Sequence, residues 1–285
     1  MDRIEKIQKL DFLILAKKKN LKQLKSQYIK CNTIDMKLNT DLYRIMSYEM
    51  LIKSLKTESL SMSKPKTWPD PYETFLLNYK ARMKDGSIVR FEKIKNKIYC
   101  QCWSLREECE GLWKAHTDQK SKYRSVRIKA NANKLMEYFY DINNDFHYLS
   151  YFIGKVTYVK EEAIINLLKN GIGQYFSQMS SYMALISTLL IKRKAFDYED
   201  EVRLIFNVNE RRGTDRLTVI NKWDLRKNCF TYKIDINDVI EEITFHPYLD
   251  EREYKAYKQE IIALGYKGKI NHSDLYTRKN IIIDY

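Results

Sequence analysis

The sequence predicts an α+β fold, with helices inserted between the strands of a mixed or mostly antiparallel sheet. Short segments rich in alternating apolar residues recur along the 285 residues, and segments with helical periodicity lie between them. Aromatic residues make up 13% of the chain, which has only 8 Gly and 4 Pro. This composition is typical of a folded chain and not of a disordered one. No repeat of solenoid period is visible.

The N-terminal part, residues 1–31, predicts a long amphipathic helix. Residues 2–30 contain no Gly or Pro, and their apolar side chains recur at spacings of three and four, interrupted at Lys17. The other faces are rich in lysine. Two interpretations are open: the helix packs against its own domain, or it docks a partner or a second copy.

An α+β domain is predicted over residues 42–285. It begins with a strand, DLYRIMS, and a helix that starts at Ser47, a residue suited to capping. A second strand, SLSMS, then leads into the loop KPKTWPDPYE, which holds three of the four prolines.

The alternation of strands and helices continues to the end of the chain. Strands are predicted at KIYCQCWS, YRSVRIKA, GKVTYV, EVRLIFNV, FTYKIDI and EITFHP. Helices are predicted at LREECEGLWKAHTD, NANKLMEYFYDI, a block over about 160–192, and DEREYKAYKQEIIALG, which Gly265 ends.

The charge balance favours anionic partners. The chain has 51 Lys plus Arg against 37 Asp plus Glu, a net charge of +14, which attracts polyanions such as nucleic acid. A lysine-rich proteome would produce the same balance without such a partner. Since the chain shows no signal segment and no long apolar segment, we expect a cytoplasmic protein that does not contact membranes.

Metal and nucleotide motifs are not apparent. The five Cys form no CxxC pair and the four His are widely spread, so we expect neither a disulfide framework nor a metal. There is no GxGxxG, GxxxxGK[ST], HExxH or GxSxG sequence. A nuclease is disfavoured because no compact acidic metal site is visible.

Three segments, residues 43–73, 98–116 and 192–206, carry a more specific signal. Their distinctive residues are the loop Pro69, Asp70, Pro71, Tyr72 and Glu73; then Ser104, Trp113 and His116; then Lys194, Phe196, Glu199, Glu201 and Arg203. In order and spacing they resemble a bacterial domain-of-unknown-function family, number two-nine-seven-one. The resemblance covers roughly residues 42–276, with Pro69 in place of the usual Asn and Val202 in place of an aromatic residue. It implies a toxin or effector of bacterial anti-phage defence or of a toxin–antitoxin system.

The same segments resemble, more weakly, the Arg, Ser and Glu arrangement of ADP-ribosyltransferases. This resemblance implies NAD as the substrate, Glu201 as the catalytic carboxylate, Glu199 as the residue orienting the acceptor, and Arg44 as the anion-binding arginine. The residues that would complete the NAD site are Tyr43, Ser61, Ser63, Asp70, Glu73 and Arg203.

A purely structural interpretation of these residues stays open. Because strand side chains alternate, Glu199, Glu201 and Arg203 would share one face of a strand. There the carboxylates could simply form an ion-pair network with Arg203 or Arg44. By the same reasoning Asp70 and Glu73 could be helix caps, and Trp103 and Trp113 are more typical of a core.

A second class of function follows from charge alone. A non-enzymatic basic module would dock on nucleic acid, or on a nucleoprotein antitoxin such as a retron complex, through its N-terminal helix and lysines. The two functions can coexist if the partner keeps a toxic domain silent.

Overall fold

The computed structural model describes residues 9–10, 20–78, 80–82, 86, 88–90, 95–117, 123–144, 146–173, 181–208 and 227–278. These residues confirm the α+β class, with helices inserted between the strands of a mixed and mostly antiparallel sheet. In the part of the chain so described, no helix has the length and apolar character needed to cross a bilayer.

The strands are short. They are β1 Thr33–Ile34, β2 Asp41–Ser47, β3 Ser59–Ser63, β4 Lys80–Arg82, β5 Ile88–Arg90, β6 Ile98–Ser104, β7 Ser125–Asn131, β8 Tyr151–Lys155, β9 Thr157–Val159, β10 Ile191–Arg193, β11 Glu201–Asn207, β12 Cys229–Lys233, β13 Ile240–Phe245 and β14 Lys269–His272. Most of the predicted strands lie close to their predicted positions, whereas GKVTYV is divided between β8 and β9, and β1, β4, β5, β10 and β14 were not predicted.

The helices lie between these strands. They are α1 Leu21–Cys31, α2 Tyr48–Thr57, α3 Phe75–Asn78, α4 Glu110–His116, α5 Ala132–Phe139, α6 His147–Ser150, α7 Glu161–Asn166, α8 Ser181–Thr188, α9 Ile236–Val239 and α10 Glu251–Ala263. A π-helical segment, Leu167–Gly171, continues α7, and 3₁₀ helices span Pro65–Thr67 and Lys194–Glu199.

The main sheet has the order β1-β8-β11-β6-β2-β7-β13-β14, and β3 joins it between β6 and β12. The pairs β1–β8 and β13–β14 are parallel, while the central pairs are antiparallel. The sheet therefore places β11 next to β6, and β6 next to both β2 and β3.

The sheet is split along one edge of β6. Strand β2 pairs with β6 only through Tyr43 and Ser104, and β3 pairs with it only through Ser63 and Cys100. Because α2 connects β2 to β3, these two strands separate over the middle of β6. The split creates a gap in the sheet where polar groups can lie.

Side chains bridge this gap in place of a strand ladder. The Gln101 amide donates to the Ser61 carbonyl at 2.9 Å, and its oxygen accepts from Trp103 and from the Tyr232 hydroxyl, each at 2.8 Å. Both ends of the buried Gln101 amide are therefore hydrogen-bonded, as buried polar groups require.

The two faces of the sheet carry different cores. On β11, Val202, Leu204 and Phe206 belong to the larger hydrophobic core, and Ile205 belongs to the smaller one on the other face. Because side chains alternate along a strand, Arg203 lies on the face of the smaller core. This face also holds the carboxylates of the candidate site, Glu73, Glu199 and Glu201.

The N-terminal helix is interrupted, where the sequence predicts one continuous helix over residues 2–30. Asn20 has an extended backbone (φ −61°, ψ 136°), and its side chain caps α1 by accepting from the Lys22 amide at 2.8 Å. Leu24 and Tyr28 are buried in the larger core, so α1 packs against its own domain. Most of the predicted helix before Asn20, residues 1–8 and 11–19, lies outside the described residues, and the domain boundary stays a prediction.

Two further segments differ from prediction because of contacts with other parts of the chain. The helix predicted at LREECEGLWKAHTD begins only after Cys109, since the Leu105 amide donates to the Asp200 carbonyl and the Arg106 amide to Ser104 Oγ. Lys192, predicted within a helical block, lies instead in β10, which pairs in parallel with β9.

Candidate functional site

A cavity of about 420 Å³ opens where β2 and β3 separate from β6. It contains most of the side chains that the sequence singled out. The predicted residues that line it are Tyr43, Arg44, Ser63, Asp70, Glu73, Glu199 and Glu201. Ser61 and Arg203 are not among its lining residues, although both contact residues that are.

Arg44 lies in the split of the sheet. It alternates along β2 with Leu42 and Met46, both in the larger core, so its side chain leaves the strand on that face. Its Nη1 donates a long hydrogen bond of 3.4 Å to the Ser61 carbonyl, and among the described residues it pairs with no carboxylate. Burial lowers the pKa of Arg44, but an arginine stays charged. The cavity therefore contains a guanidinium with unused donors.

Tyr43, on the other face of β2, is the β2 residue aligned with Glu201. Tyr43 pairs in register with Ser104, and Ser104 pairs with Glu201, so the three form a row across β2, β6 and β11. The Arg127 guanidinium lies over the Tyr43 ring, 5.3 Å from its centroid.

A buried ion network begins at Arg203, whose side chain is 0% exposed. Its Nε and Nη2 each donate to a different oxygen of Glu201 at 2.8 Å. Nη2 also donates to Glu73 at 3.0 Å, and Nη1 donates to the Leu189 carbonyl at 2.7 Å. Trp68 covers the guanidinium, 4.2 Å from ring centroid to carbon. Arg203 thus lies beneath the cavity and holds two of its carboxylates, with no surface of its own for NAD.

Lys192 joins the same network from β10. Its Nζ lies 2.9 Å from Glu73, 2.6 Å from Glu199 and 3.2 Å from Glu201. The ammonium donates hydrogen bonds to Glu199 and Glu201 and forms an ion pair with Glu73. The network contains one more negative charge than positive charge.

The two glutamates of the YEDEV sequence differ in how strongly their ionised forms are held. Burial disfavours the charged form of Glu201, but Arg203 and Lys192 outweigh it and lower the pKa of Glu201 to about 2. For Glu199, burial dominates and raises its pKa, because Lys192 compensates only in part. Lys192 itself is desolvated, yet the surrounding carboxylates raise its pKa.

The turn at Asp200 separates these glutamates, where the sequence predicts that they share one strand face. Glu199 ends the 3₁₀ helix, Asp200 has a left-handed backbone (φ 41°, ψ 55°), and the strand begins only at Glu201. The alternation argument therefore does not apply, and the side chains lie at different depths, 13% exposed for Glu199 and 4% for Glu201.

The loop before α3 is fixed by ion pairs as well as by capping. Asp70 accepts from the Tyr72 amide at 3.0 Å, as in the predicted capping role, and also pairs with Arg193 at 3.0 Å. Arg193 in turn reaches Glu161 on α7 at 2.9 Å. The loop is thereby tied to β10, and Glu73 is carried into the network.

Several lining residues escaped prediction. Lys192 follows an apolar stretch without Gly or Pro, and Gln101 lies in a buried strand, so neither was recognised as a site residue from the sequence. His116, at the end of α4, could be recognised from the sequence because it is one of the residues on which the family resemblance rests. The surrounding cavity wall and the Arg44 charge lower the pKa of His116, so its imidazole is neutral at pH 7. Trp103 and Trp113 are 2% and 1% exposed and lie in the protein interior, as expected for core residues.

Among the described residues, no group of three His, Cys, Asp or Glu side chains is arranged to hold a metal ion. The cavity is lined by guanidinium, ammonium, carboxylate and aromatic groups.

The chain was compared with known proteins. No protein-family model matches it, and no curated protein sequence matches it, so the family resemblance stays a prediction. Among solved structures, DarT of Thermus sp. 2.9 in complex with NAD⁺ superposes with a TM-score of 0.36 at 8% identity, over 82% of this chain and 96% of that chain. The same protein with carba-NAD⁺ gives 0.37 at 9% identity, over 84% and 97%. With ADP-ribosylated ssDNA it gives 0.36 at 9% identity, over 82% and 94%. Overlaps at this TM-score are too loose to define a shared fold.

Proposed function

We propose that the cavity binds NAD and that the chain is an ADP-ribosyltransferase-like enzyme, which transfers ADP-ribose to a macromolecule or hydrolyses NAD. One observation carries the proposal: a single cavity is lined by an arginine that pairs with no carboxylate among the described residues and by the carboxylates of a cluster with excess negative charge. NAD combines an anionic diphosphate with a cationic nicotinamide ring. A cavity with both kinds of group complements both parts.

Arg44 supplies the anion-binding group. A guanidinium presents five donors in a fork that matches phosphate oxygens, and Arg44 uses one of them in a bond of 3.4 Å. Its partial burial removes competing water, which strengthens the attraction for a diphosphate. Ser63, at the end of β3, adds a hydroxyl to the lining of the same cavity.

The carboxylate cluster suits the cationic part of the reaction. When the bond between the ribose C1′ and nicotinamide breaks, both electrons leave with nicotinamide and positive charge develops on the ribose. Glu73, Glu199 and Glu201 outnumber Lys192 and Arg203 by one charge in a mostly buried place. Fixed negative charge in such a place stabilises a developing cation more than water does.

The remaining walls fit flat rings. Trp68, Phe196 and Tyr198 line the cavity, and aromatic side chains pack well against the nicotinamide or adenine ring. The volume of about 420 Å³ lies in the range of small-molecule sites.

NAD binding and nicotinamide release by the purified chain test this proposal. We expect titration calorimetry to detect NAD binding, and mass spectrometry to detect free nicotinamide. In Arg44→Met the affinity should fall by about 10-fold or more, because a charge-assisted contact contributes roughly 1.5 to 3 kcal/mol. Arg252→Met is the matched control, since Arg252 is exposed on α10 and outside the cavity. A wild-type chain that neither binds NAD nor releases nicotinamide contradicts the proposal.

We further propose, from the family resemblance, a toxin or effector in bacterial defence or in a toxin–antitoxin system. Expression of the wild-type chain should then arrest growth, and Arg44→Met should not. Equal growth arrest by both chains would mean that the toxicity does not depend on this cavity.

A second function is favoured by one surface of α1. Lys22, Lys25 and Lys30 line a cleft of about 820 Å³ together with Glu137 and Asp238. With a net charge of +14, this surface is the place where a nucleic acid or nucleoprotein partner would dock on the described residues. Binding through phosphates weakens steeply with salt. Fluorescence anisotropy with labelled single-stranded nucleic acid at several salt concentrations tests it, and an affinity that salt leaves unchanged would count against it.

A further inference from the structure

We propose that Glu199, not Glu201, is the carboxylate that contacts the substrate, and that Glu201 is a positioning residue beneath it. The inference rests on the proposed function. It reverses the roles that the resemblance to ADP-ribosyltransferases implies for the two residues.

Glu201 has no acceptor position left for a substrate hydroxyl. A carboxylate offers about four such positions on its two oxygens. In Glu201 they meet four donors: Arg203 Nε and Nη2 at 2.8 Å each, Lys192 Nζ at 3.2 Å, and the Cys102 thiol. A ribose hydroxyl could bond to Glu201 only by displacing one of these donors and leaving it buried without a partner, which is costly.

Glu199 has acceptor capacity to spare. Lys192 donates to its Oε2 at 2.6 Å, and among the described residues its Oε1 receives no hydrogen bond. Its side chain is more exposed than that of Glu201, and it lines the cavity. The Ser104 hydroxyl donates to the Glu199 carbonyl at 2.6 Å, which fixes the backbone beside the row that starts at Tyr43.

Lys192 connects the two roles. Its ammonium donates one hydrogen bond to Glu201 and forms an ion pair with Glu73, and these two carboxylates hold it in place while it donates another hydrogen bond to Glu199. Glu201, itself fixed by Arg203, therefore orients Glu199 through this lysine. The arrangement is a fixed ion network that lies beneath Glu199 and leaves Glu199 Oε1 available to a substrate.

The reaction assigned to Glu199 needs no covalent bond to the protein. Oε1 of Glu199 accepts a hydrogen bond from a ribose hydroxyl. The C1′–nitrogen bond breaks with both electrons going to nicotinamide, and an oxygen or nitrogen of the acceptor, or a water oxygen, bonds to C1′. The proton of that nucleophile passes to solvent. Glu199 stays ionised, so its charge stabilises the cationic ribose throughout.

The pH dependence of turnover distinguishes the two carboxylates. The charged groups around Glu199 are Lys192, Glu201 and Glu73, and the tyrosines beside it are Tyr158 and Tyr198. Since burial raises the pKa of Glu199, a reaction that needs its ionised form should slow at a pH above the ordinary value for glutamate. A reaction dependent on Glu201 would slow only near pH 2. His116→Asn identifies any contribution from the His116 imidazole, which also lines the cavity.

The matched variants are Glu199→Gln and Glu201→Gln. In Glu199→Gln we expect NAD turnover to fall by roughly 100-fold, as when one stabilising group is removed from a transition state, with an unchanged melting temperature. Glu201→Gln should lower the melting temperature. Retention of wild-type turnover by Glu199→Gln overturns the inference.

A second measurement does not depend on activity. Carbodiimide labelling of the wild-type chain with an amine, read by peptide mass spectrometry, should modify Glu199 well before Glu201, and NAD should protect Glu199. Labelling of Glu201 first overturns the inference. If the wild-type chain neither binds nor cleaves NAD, the proposed function is wrong. The order of labelling still shows which of the two carboxylates is accessible from the cavity.

Discussion

Two buried arginines on the same face of the sheet are held in opposite ways. Arg203 on β11 has an acceptor for each of its three nitrogens, and its acidic partners, Glu73 and Glu201, are buried. Arg127 on β7 leaves Nε without a partner among the described residues, and it pairs with Glu242, Glu108 and Glu107, whose side chains are 19%, 16% and 65% exposed. The acids of Arg127 are therefore more exposed to water than Glu73 and Glu201, at 7% and 4%. We expect the Arg203 network to contribute more to the stability of the fold than the Arg127 network.

The largest effect is expected from Arg203→Met. Removing this guanidinium leaves Glu201 and Glu73 buried with only Lys192 as a counter-charge, which costs about 3 to 5 kcal/mol. Denaturant unfolding measures the loss. The double variant with Glu201→Met should recover part of it, because an apolar pair can replace a buried ion pair. A loss below about 1 kcal/mol would mean that the network is solvated.

The second largest effect is expected from acid, which should destabilise the fold by protonating Glu201 in the same network. The pKa of Glu201 is about 2 in the folded chain, below its ordinary value of 4.5, so the unfolded chain binds the proton more tightly. Its stabilisation is thus complete above the ordinary value and is lost as the pH falls toward 2. The shift corresponds to about 3 kcal/mol. Unfolding at several pH values should show this loss in the wild type, whereas Glu201→Gln, already less stable, should lack this part of it.

Arg127→Gln should have the smallest effect of the three. Glu107 and Glu242 can be hydrated when the guanidinium is gone, so we expect a loss of about 1 to 2 kcal/mol. Tyr43 would also lose the cation above its ring. If Arg127→Gln lowers the free energy of unfolding as much as Arg203→Met does, the two networks contribute equally to stability and the comparison is wrong.

Local sequence signals predicted much of the fold. Ser47 was expected to cap α2, and its Oγ accepts from the Met50 amide at 3.2 Å. The strands DLYRIMS and SLSMS begin and end where their alternation predicts, as β2 and β3. Both signals depend only on neighbouring residues, which is why a sequence can reveal them.

Features that depend on distant contacts were not predictable in the same way. The face on which Arg44 lies is set by its pairing with β7, and it is the face opposite to that of Glu201. Lys192 belongs to β10 because β9 pairs with it, although its own run of apolar residues has helical character. The candidate site was therefore predictable as a set of residues, but not as an arrangement of bonds.

The left-handed residue Asp200 has a consequence for recognising related chains. Asp, Asn and Gly adopt this backbone most readily, whereas Val and Ile strongly resist it. A chain with Val or Ile between the two glutamates would extend β11 backwards and bring both carboxylates to one face. The residue between the two glutamates therefore predicts their arrangement. With Asp, Asn or Gly there, we expect one carboxylate to be more deeply buried than the other. With a β-branched residue there, we expect both carboxylates on one face of the strand.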